Sequence, residues 1–288
     1  MAMIPRAFEL YSPATISEAI ALLKSKKDSK VLAGGQSLVP LMKLRLVSPA
    51  NLVDLGRIPG LSYIKKEGGH LLIGSMTTHN EVAASSLVNE RCVTLAEAAS
   101  RIGDQQVRNR GTIGGTVCQA DPAGDVPAAV VALDAEFKVA GQRKKRTIKA
   151  KDFFEDMLTT NLRRDEILTE VRVPVLPPKS GGAYMKLGRG ASDLATVGVA
   201  AVVTLDRSGA CKDARLGLAG VGPTPIRATR AEDVLRGRAL DEDAVAEACE
   251  EAAKMSHPYS DIRGSAEYKR EMVKVYVKRA IRQSVARI

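Results

Sequence analysis

The chain has 288 residues, 45% of them hydrophobic and 26% charged, an ordinary globular composition with room for one large domain or two to three small ones. Its net charge of +10 makes nucleic acid the first partner to consider, but aromatic residues are only 3% and tryptophan is absent, so stacking platforms are scarce and the basic surface suits an acidic protein subunit equally well. No apolar run reaches the roughly 18 residues of a membrane span, the first residues lack the charged and apolar regions of a signal peptide, and a cytoplasmic location is the expectation.

Taken in chain order, Thr15-Ile16-Ser17-Glu18 has the form of a capping box, and Ile16, Ala19, Ile20 and Leu23 follow at helical spacing. Residues 30–33 read as a buried strand feeding the loop Leu32-Ala33-Gly34-Gly35-Gln36-Ser37-Leu38, and residues 51–55 as another strand. Together residues 1–56 make a small α/β unit. Segments 61–64 and 71–73 flank Gly68-Gly69, a hairpin signal. Thr78-His79-Asn80-Glu81 is a second capping box, residues 93–102 form a helix, and a second glycine loop follows, Arg110-Gly111-Thr112-Ile113-Gly114-Gly115-Thr116. Asp125 stands at the N-cap of a helix with Pro127 in its first turn. Segments 135–139 and 167–175 read as strands, with the basic run Arg143-Lys144-Lys145-Arg146 as a solvated hairpin tip, and they close a unit of residues 57–176.

Leu176-Pro177-Pro178-Lys179-Ser180-Gly181-Gly182 reads as a linker into a third unit, residues 177–288. There residues 198–205 and 214–218 alternate like strands around a turn at 206–209, and helices cover 242–255 and 265–288. On the last helix Met272, Val273, Tyr276, Val277, Ala280 and Ile281 form one stripe, read as packing on its own domain.

Cys92, Cys118, Cys211 and Cys249 lie far apart, so zinc and iron–sulfur motifs are absent and most read as core thiols. His70, His79 and His257 are scattered and read as surface or capping residues, and no metal ligand is assigned. The two glycine loops carry more chemistry. A glycine pair can take φ > 0 and align successive N–H groups into an anion nest, and two such loops suit two adjacent phosphates, as in a dinucleotide. The Rossmann fingerprint does not account for them. Gly217-Leu218-Ala219-Gly220-Val221-Gly222 has the wrong glycine order and Pro223 and Pro225 follow; Gly188-Arg189-Gly190-Ala191-Ser192-Asp193 lacks the third glycine; a Walker A loop is missing. The reading is therefore that loops between strands hold the phosphates.

Ala33-Gly34-Gly35-Gln36-Ser37, Arg108-Asn109-Arg110-Gly111-Thr112-Ile113-Gly114-Gly115 and Asp121-Pro122-Ala123-Gly124-Asp125-Val126-Pro127-Ala128 occur in that order. In this they resemble the FAD-binding medium subunit of the molybdenum hydroxylases, the family of carbon monoxide dehydrogenase and of the flavin domain of xanthine dehydrogenase, over essentially the whole chain from Pro5. The resemblance implies an α+β, vanillyl-alcohol-oxidase-like (PCMH-type) fold: two α/β subdomains clasping FAD, plus a C-terminal domain of antiparallel sheet and helices. It implies that Leu32, Ala33, Gly34, Gly35, Gln36, Ser37 and Leu38, with Gly111, Thr112, Gly114, Gly115 and Thr116, hold the pyrophosphate and ribityl chain. Asp125 would lie near the adenosine ribose, Ile102 against the adenine, and Leu168 would be a further apolar contact. Lys186 would stand as a cation near the flavin, and Asp193 and Leu194 would reach the isoalloxazine face, where carbon monoxide dehydrogenase has an aromatic residue in place of Leu194.

The resemblance also implies non-covalent FAD and no catalytic residue apart from it. The chain would be the electron-exit subunit of a heterotrimer, arranged as a dimer of heterotrimers, whose large subunit carries the molybdenum cofactor and whose small subunit carries two [2Fe–2S] clusters. Two other readings are a stand-alone FAD-dependent oxidoreductase of the same fold, for which the chain is short, and a basic scaffold or nucleic-acid-binding protein, against which the paired glycine loops argue.

Overall fold

A computed structural model of the chain describes residues 4–142, 144–190 and 192–288; Arg143, in the basic hairpin run, and Ala191 lie outside the described residues. The first sheet is parallel, in the order β1 (Glu9–Tyr11), β3 (Asn51–Asp54), β2 (Ser29–Leu32). Helix α1 (Ile16–Ser25) covers it with Ala19, Ile20 and Leu23. Thr15 caps α1 by accepting from Glu18 N, but the Glu18 carboxylate accepts from Ala14 N, one residue short of a closed capping box. After β2 the chain passes through residues 33–37 into the short helix α2 (Leu38–Lys43).

The second sheet is antiparallel throughout, in the order β4 (Ile64–Glu67), β5 (His70–Gly74), β10 (Ile167–Pro174), β6 (Glu136–Ala140), β7 (Lys145–Lys149). A two-stranded ribbon, β8 (Phe154–Asp156) with β9 (Thr159–Thr160), leads into β10. Between β5 and β6 run six helices: α3 (His79–Ala84), α4 (Ser86–Arg91), α5 (Val93–Ser100), α6 (Gln105–Arg110), α7 (Ile113–Gln119) and α8 (Asp125–Ala132). All eight residues of α8 are buried, because it is enclosed between this unit and the next. One apolar core therefore runs from Leu71, Ile73 and Phe137 through Val126, Ala129 and Val130 to Tyr184, Ala200 and Val202.

The third sheet, β11 (Ser180–Leu187), β12 (Val197–Leu205), β13 (Cys211–Ala219), β14 (Ile226–Arg227), is also antiparallel. Helices α9 (Thr229–Leu235), α10 (Glu242–Met255) and α11 (Ala266–Val285) cover its other face. The stripe on α11 packs as expected, with Val273, Val277, Ala280 and Ile281 buried and Met272 and Tyr276 at the margin. The linker reading needs correcting at its end. Ser180, Gly181 and Gly182 are strand, and the glycines admit close neighbours rather than a turn. A Cβ on Gly181 would lie 1.9 Å from Ser284 O of α11, and one on Gly182 would lie 2.2 Å from Thr94 Oγ1 of α5. No helix among the described residues is long and apolar enough to cross a membrane.

Candidate functional site

The two glycine loops, about eighty residues apart in sequence, touch in space. A Cβ on Gly34 would fall 2.0 Å from Arg110 O and 2.8 Å from Gly111 Cα, so only a glycine lets the loops close on each other. They form one wall of a cleft of about 620 Å³, within the size range of small-molecule sites. Ala33, Gly34, Gly35, Gln36, Ser37, Leu38, Gly111, Thr112, Gly114, Gly115, Thr116 and Leu168 all line it.

The loops contribute different things. In the first, Gly35 takes the left-handed φ of +74°. Among the described residues, the backbone N–H groups of Gly34, Gly35, Gln36 and Ser37 donate to no acceptor in the chain. Four adjacent unspent amides beside a cleft are a ready anion nest. The Gln36 side chain supports the turn by donating to Gly34 O at 3.2 Å.

The second loop departs from expectation. Gly114 and Gly115 have no positive φ; they form the first turn of α7, capped by Thr112, whose hydroxyl accepts from Gly115 N at 3.0 Å. Ile113 N donates to Thr77 O, Gly114 N to Ser75 O and Thr116 N to Thr112 O. These amides are already spent, and the glycines serve packing: a Cβ on Gly114 would meet Ser75 O and Cβ, both at 2.6 Å. What α7 offers the cleft is the hydroxyls of Thr112 and Thr116. Both glycine loops also run into helices, so the picture of loops strung between strands does not hold.

His79 is the other departure. It is neither a surface residue nor a cap: it is the first residue of α3, capped by the closed Thr78–Glu81 box, and is 1% exposed. Its Nε2 lies 2.9 Å from Thr116 Oγ1, and burial pulls its pKa down to about 4.

The remaining expected residues do not line the cleft. Leu32 is half-buried in β2. Asp193 and Leu194 sit on a turn beyond β11, where Asp193 faces Arg189 at 3.5 Å and Leu194 is exposed. Asp125 is the first residue of α8, not its cap, which is Gly124. Its carboxylate is buried, accepts from Tyr184 Oη at 2.7 Å and pairs with Lys186 Nζ at 2.8 Å. Burial raises the Asp125 pKa against the opposing pull of Lys186. Lys186 is therefore no lone cation, and its ammonium also donates to Arg101 O, which ties down the segment carrying half-buried Ile102.

Other cleft residues carried no signal in the sequence. Ser75, Met76, Leu158, Leu162 and Arg164 bring apolar surface, a hydroxyl and positive charge from segments that match no motif. Ser75 Oγ is buried without a hydrogen-bond partner among the described residues. Cys118 also lines the cleft, its thiol pushed up to about 12 by burial. Among the described residues no group of three or more His, Cys, Asp or Glu could hold a metal ion.

The chain resembles known proteins over nearly its whole length. Residues 6–176 match the FAD binding domain in molybdopterin dehydrogenase, and residues 182–284 the CO dehydrogenase flavoprotein C-terminal domain. The chain is 42% identical to the carbon monoxide dehydrogenase medium chain of Hydrogenophaga pseudoflava, over 99% of both chains. It is 35% identical to the 6-hydroxypseudooxynicotine dehydrogenase complex subunit alpha of Paenarthrobacter nicotinovorans, over 99% of this chain and 97% of that one. A solved structure of the Hydrogenophaga pseudoflava carbon monoxide dehydrogenase, in a form lacking the Mo-pyranopterin moiety of its molybdenum cofactor, superposes with a TM-score of 0.96 at 43% identity, covering 98% of this chain and 99% of that chain.

Proposed function

Since the chain belongs to the FAD-binding medium subunits of the molybdenum hydroxylases, we propose that it is the electron-exit subunit of a heterotrimeric enzyme, assembled as a dimer of heterotrimers in the cytoplasm. A large subunit would hold the molybdenum cofactor and hydroxylate the substrate, and a small subunit would hold two [2Fe–2S] clusters. Bound FAD would take electrons singly from a cluster and hand them on to an external acceptor. The observation that carries this reading is the row of free amides from Gly34 to Ser37 beside two threonine hydroxyls in a cleft sized for a small molecule. That donor set fits a pyrophosphate, which needs N–H and O–H donors and no crowding Cβ.

In this proposal residues 33–38, 111, 112 and 114–116 cradle the phosphates and ribityl chain, and Leu168 packs on the cofactor. The Asp125–Lys186 pair steadies Ile102 from behind, while Asp193 and Leu194 meet the flavin from the third unit. FAD is held without a covalent bond. Residues 1–56, 57–176 and 177–288 act as the three structural units, each with its own sheet. The substrate pocket lies on another chain, in keeping with two similar relatives named for chemically unrelated substrates, carbon monoxide and 6-hydroxypseudooxynicotine.

The purified chain should be yellow and release FAD on denaturation, and it should co-purify with a cysteine-rich small subunit and a molybdenum-binding large one. Colourless protein that takes up no added FAD refutes the flavin reading. A yellow chain that purifies alone and oxidises a substrate unaided points instead to the stand-alone flavoenzyme.

A further inference from the structure

His79 is tied to the second glycine loop at three points. Its backbone N–H donates to Gly111 O at 2.9 Å. Its ring lies against Gly111, where a Cβ would come within 3.0 Å of Cδ2. Its Nε2 reaches Thr116 Oγ1 at 2.9 Å. Its Nδ1 is fully buried and has no hydrogen-bond partner among the described residues. Among the described residues no carboxylate is bonded to the ring, and burial with a pKa near 4 keeps the imidazole neutral at ordinary pH.

A neutral imidazole carries one N–H, on Nδ1 or on Nε2. Nδ1 has no partner among the described residues in either tautomer; protonated it would be an orphaned buried N–H, a rarer arrangement than the bare acceptor lone pair it presents when the proton sits on Nε2. A proton on Nε2 is donated to Thr116 Oγ1 instead. The threonine hydroxyl then receives a hydrogen from behind, and its own hydrogen must point elsewhere. Thr116 lines the cleft, and its hydroxyl makes no other hydrogen bond among the described residues.

We propose that His79 is a positioning residue which, as the Nε2–H tautomer, fixes the Thr116 hydroxyl as a donor into the cleft, toward an oxygen of the bound cofactor. This rests on the FAD reading. With the opposite tautomer the hydroxyl would give its hydrogen to the ring and present only lone pairs to an anionic ligand. His79 thus sets the sign of the contact that Thr116 makes without itself reaching the cleft.

The imidazole 15N resonances of His79 in the full-length chain test the tautomer without any cofactor. A protonated Nε2 is expected, and a protonated Nδ1 overturns the inference whatever the flavin does. FAD titration of the same chain tests the consequence. His79→Leu should weaken FAD binding about tenfold, the scale of one hydrogen bond to a charged group, and His79→Gln, which can still donate from the same place, should recover most of it. In a Thr116→Val background His79→Leu should cost nothing further. An undiminished loss in that background, or a His79→Gln variant as weak as His79→Leu, would mean that His79 acts through packing alone and refutes the proposal. Wild-type chain that takes up no FAD refutes the cofactor reading and leaves the tautomer result to stand or fall by itself.

Discussion

Gly34→Ala adds one methyl group at the seam between the two loops. The new Cβ would stand 2.0 Å from Arg110 O and 2.8 Å from Gly111 Cα, so the second loop must retreat by more than about 1 Å to reach ordinary contact. Backbone cannot rotate out of the way as a side chain can. Overpacking of this kind costs ~1–3 kcal/mol of stability. The retreat also carries Thr112 and Thr116 away from the amides of residues 34–37, so FAD affinity should fall by more than ~10-fold, the equivalent of ~1.4 kcal/mol. Gly115→Ala calibrates the effect, because its Cβ would meet only Thr112 Oγ1 at 2.9 Å and Ala33 Cβ at 3.6 Å. It should lose distinctly less. Flavin content per purified chain, FAD titration by fluorescence quenching and the melting temperature of the apo chain report the three quantities. Full flavin occupancy and an unchanged melting temperature in Gly34→Ala would refute the idea that the loops must touch.

Other parts of the molecule yield equally definite expectations. Lys186→Met strands the buried carboxylate of Asp125 and should cost ~3–5 kcal/mol in denaturant unfolding; adding Asp125→Leu should restore at least half, and a double variant weaker than the single one would contradict the pairing argument. Gly181→Ala would place a Cβ 1.9 Å from Ser284 O and should loosen α11, seen as proteolysis within residues 266–288 while FAD binding persists; an unaltered cleavage pattern would count against the contact. The pKa of His79 falls from about 6.5 unfolded to about 4 folded, so the unfolded chain takes up the proton first and stability is lost as pH drops through that interval, by up to ~3 kcal/mol. Urea unfolding from neutral pH down to pH ~4.5 should show this decline flattened in His79→Gln, and parallel curves for the two proteins would remove His79 as its source.

Where the chain announces its own local structure, the sequence was a good guide. Thr78 and Glu81 close their capping box as their spacing implies, and helix 242–255 lies where its amphipathic pattern of alanines and Val245 puts it. The glycines were visible as positions without a side chain, but their reasons were not. Gly35 needs a left-handed φ, whereas Gly34, Gly114 and Gly181 need room for another segment's backbone, and room is a property of contacts between residues distant in sequence. The reading of His79 as a surface or capping residue fails for the same reason: Gly111 and Thr116, which lie against its ring, are distant from it in sequence. Leu158, Leu162 and Arg164 line the cleft unannounced because they lend it surface rather than a patterned donor set.

The closure of Gly34 on Arg110 and Gly111 also bears on how such a chain can diverge. A bulkier residue at position 34 is tolerable only if residues 110–111 withdraw, and their withdrawal is useful only if position 34 fills the gap. Mutations at the two loops are thus epistatic, and neither loop can drift far while the other stands still.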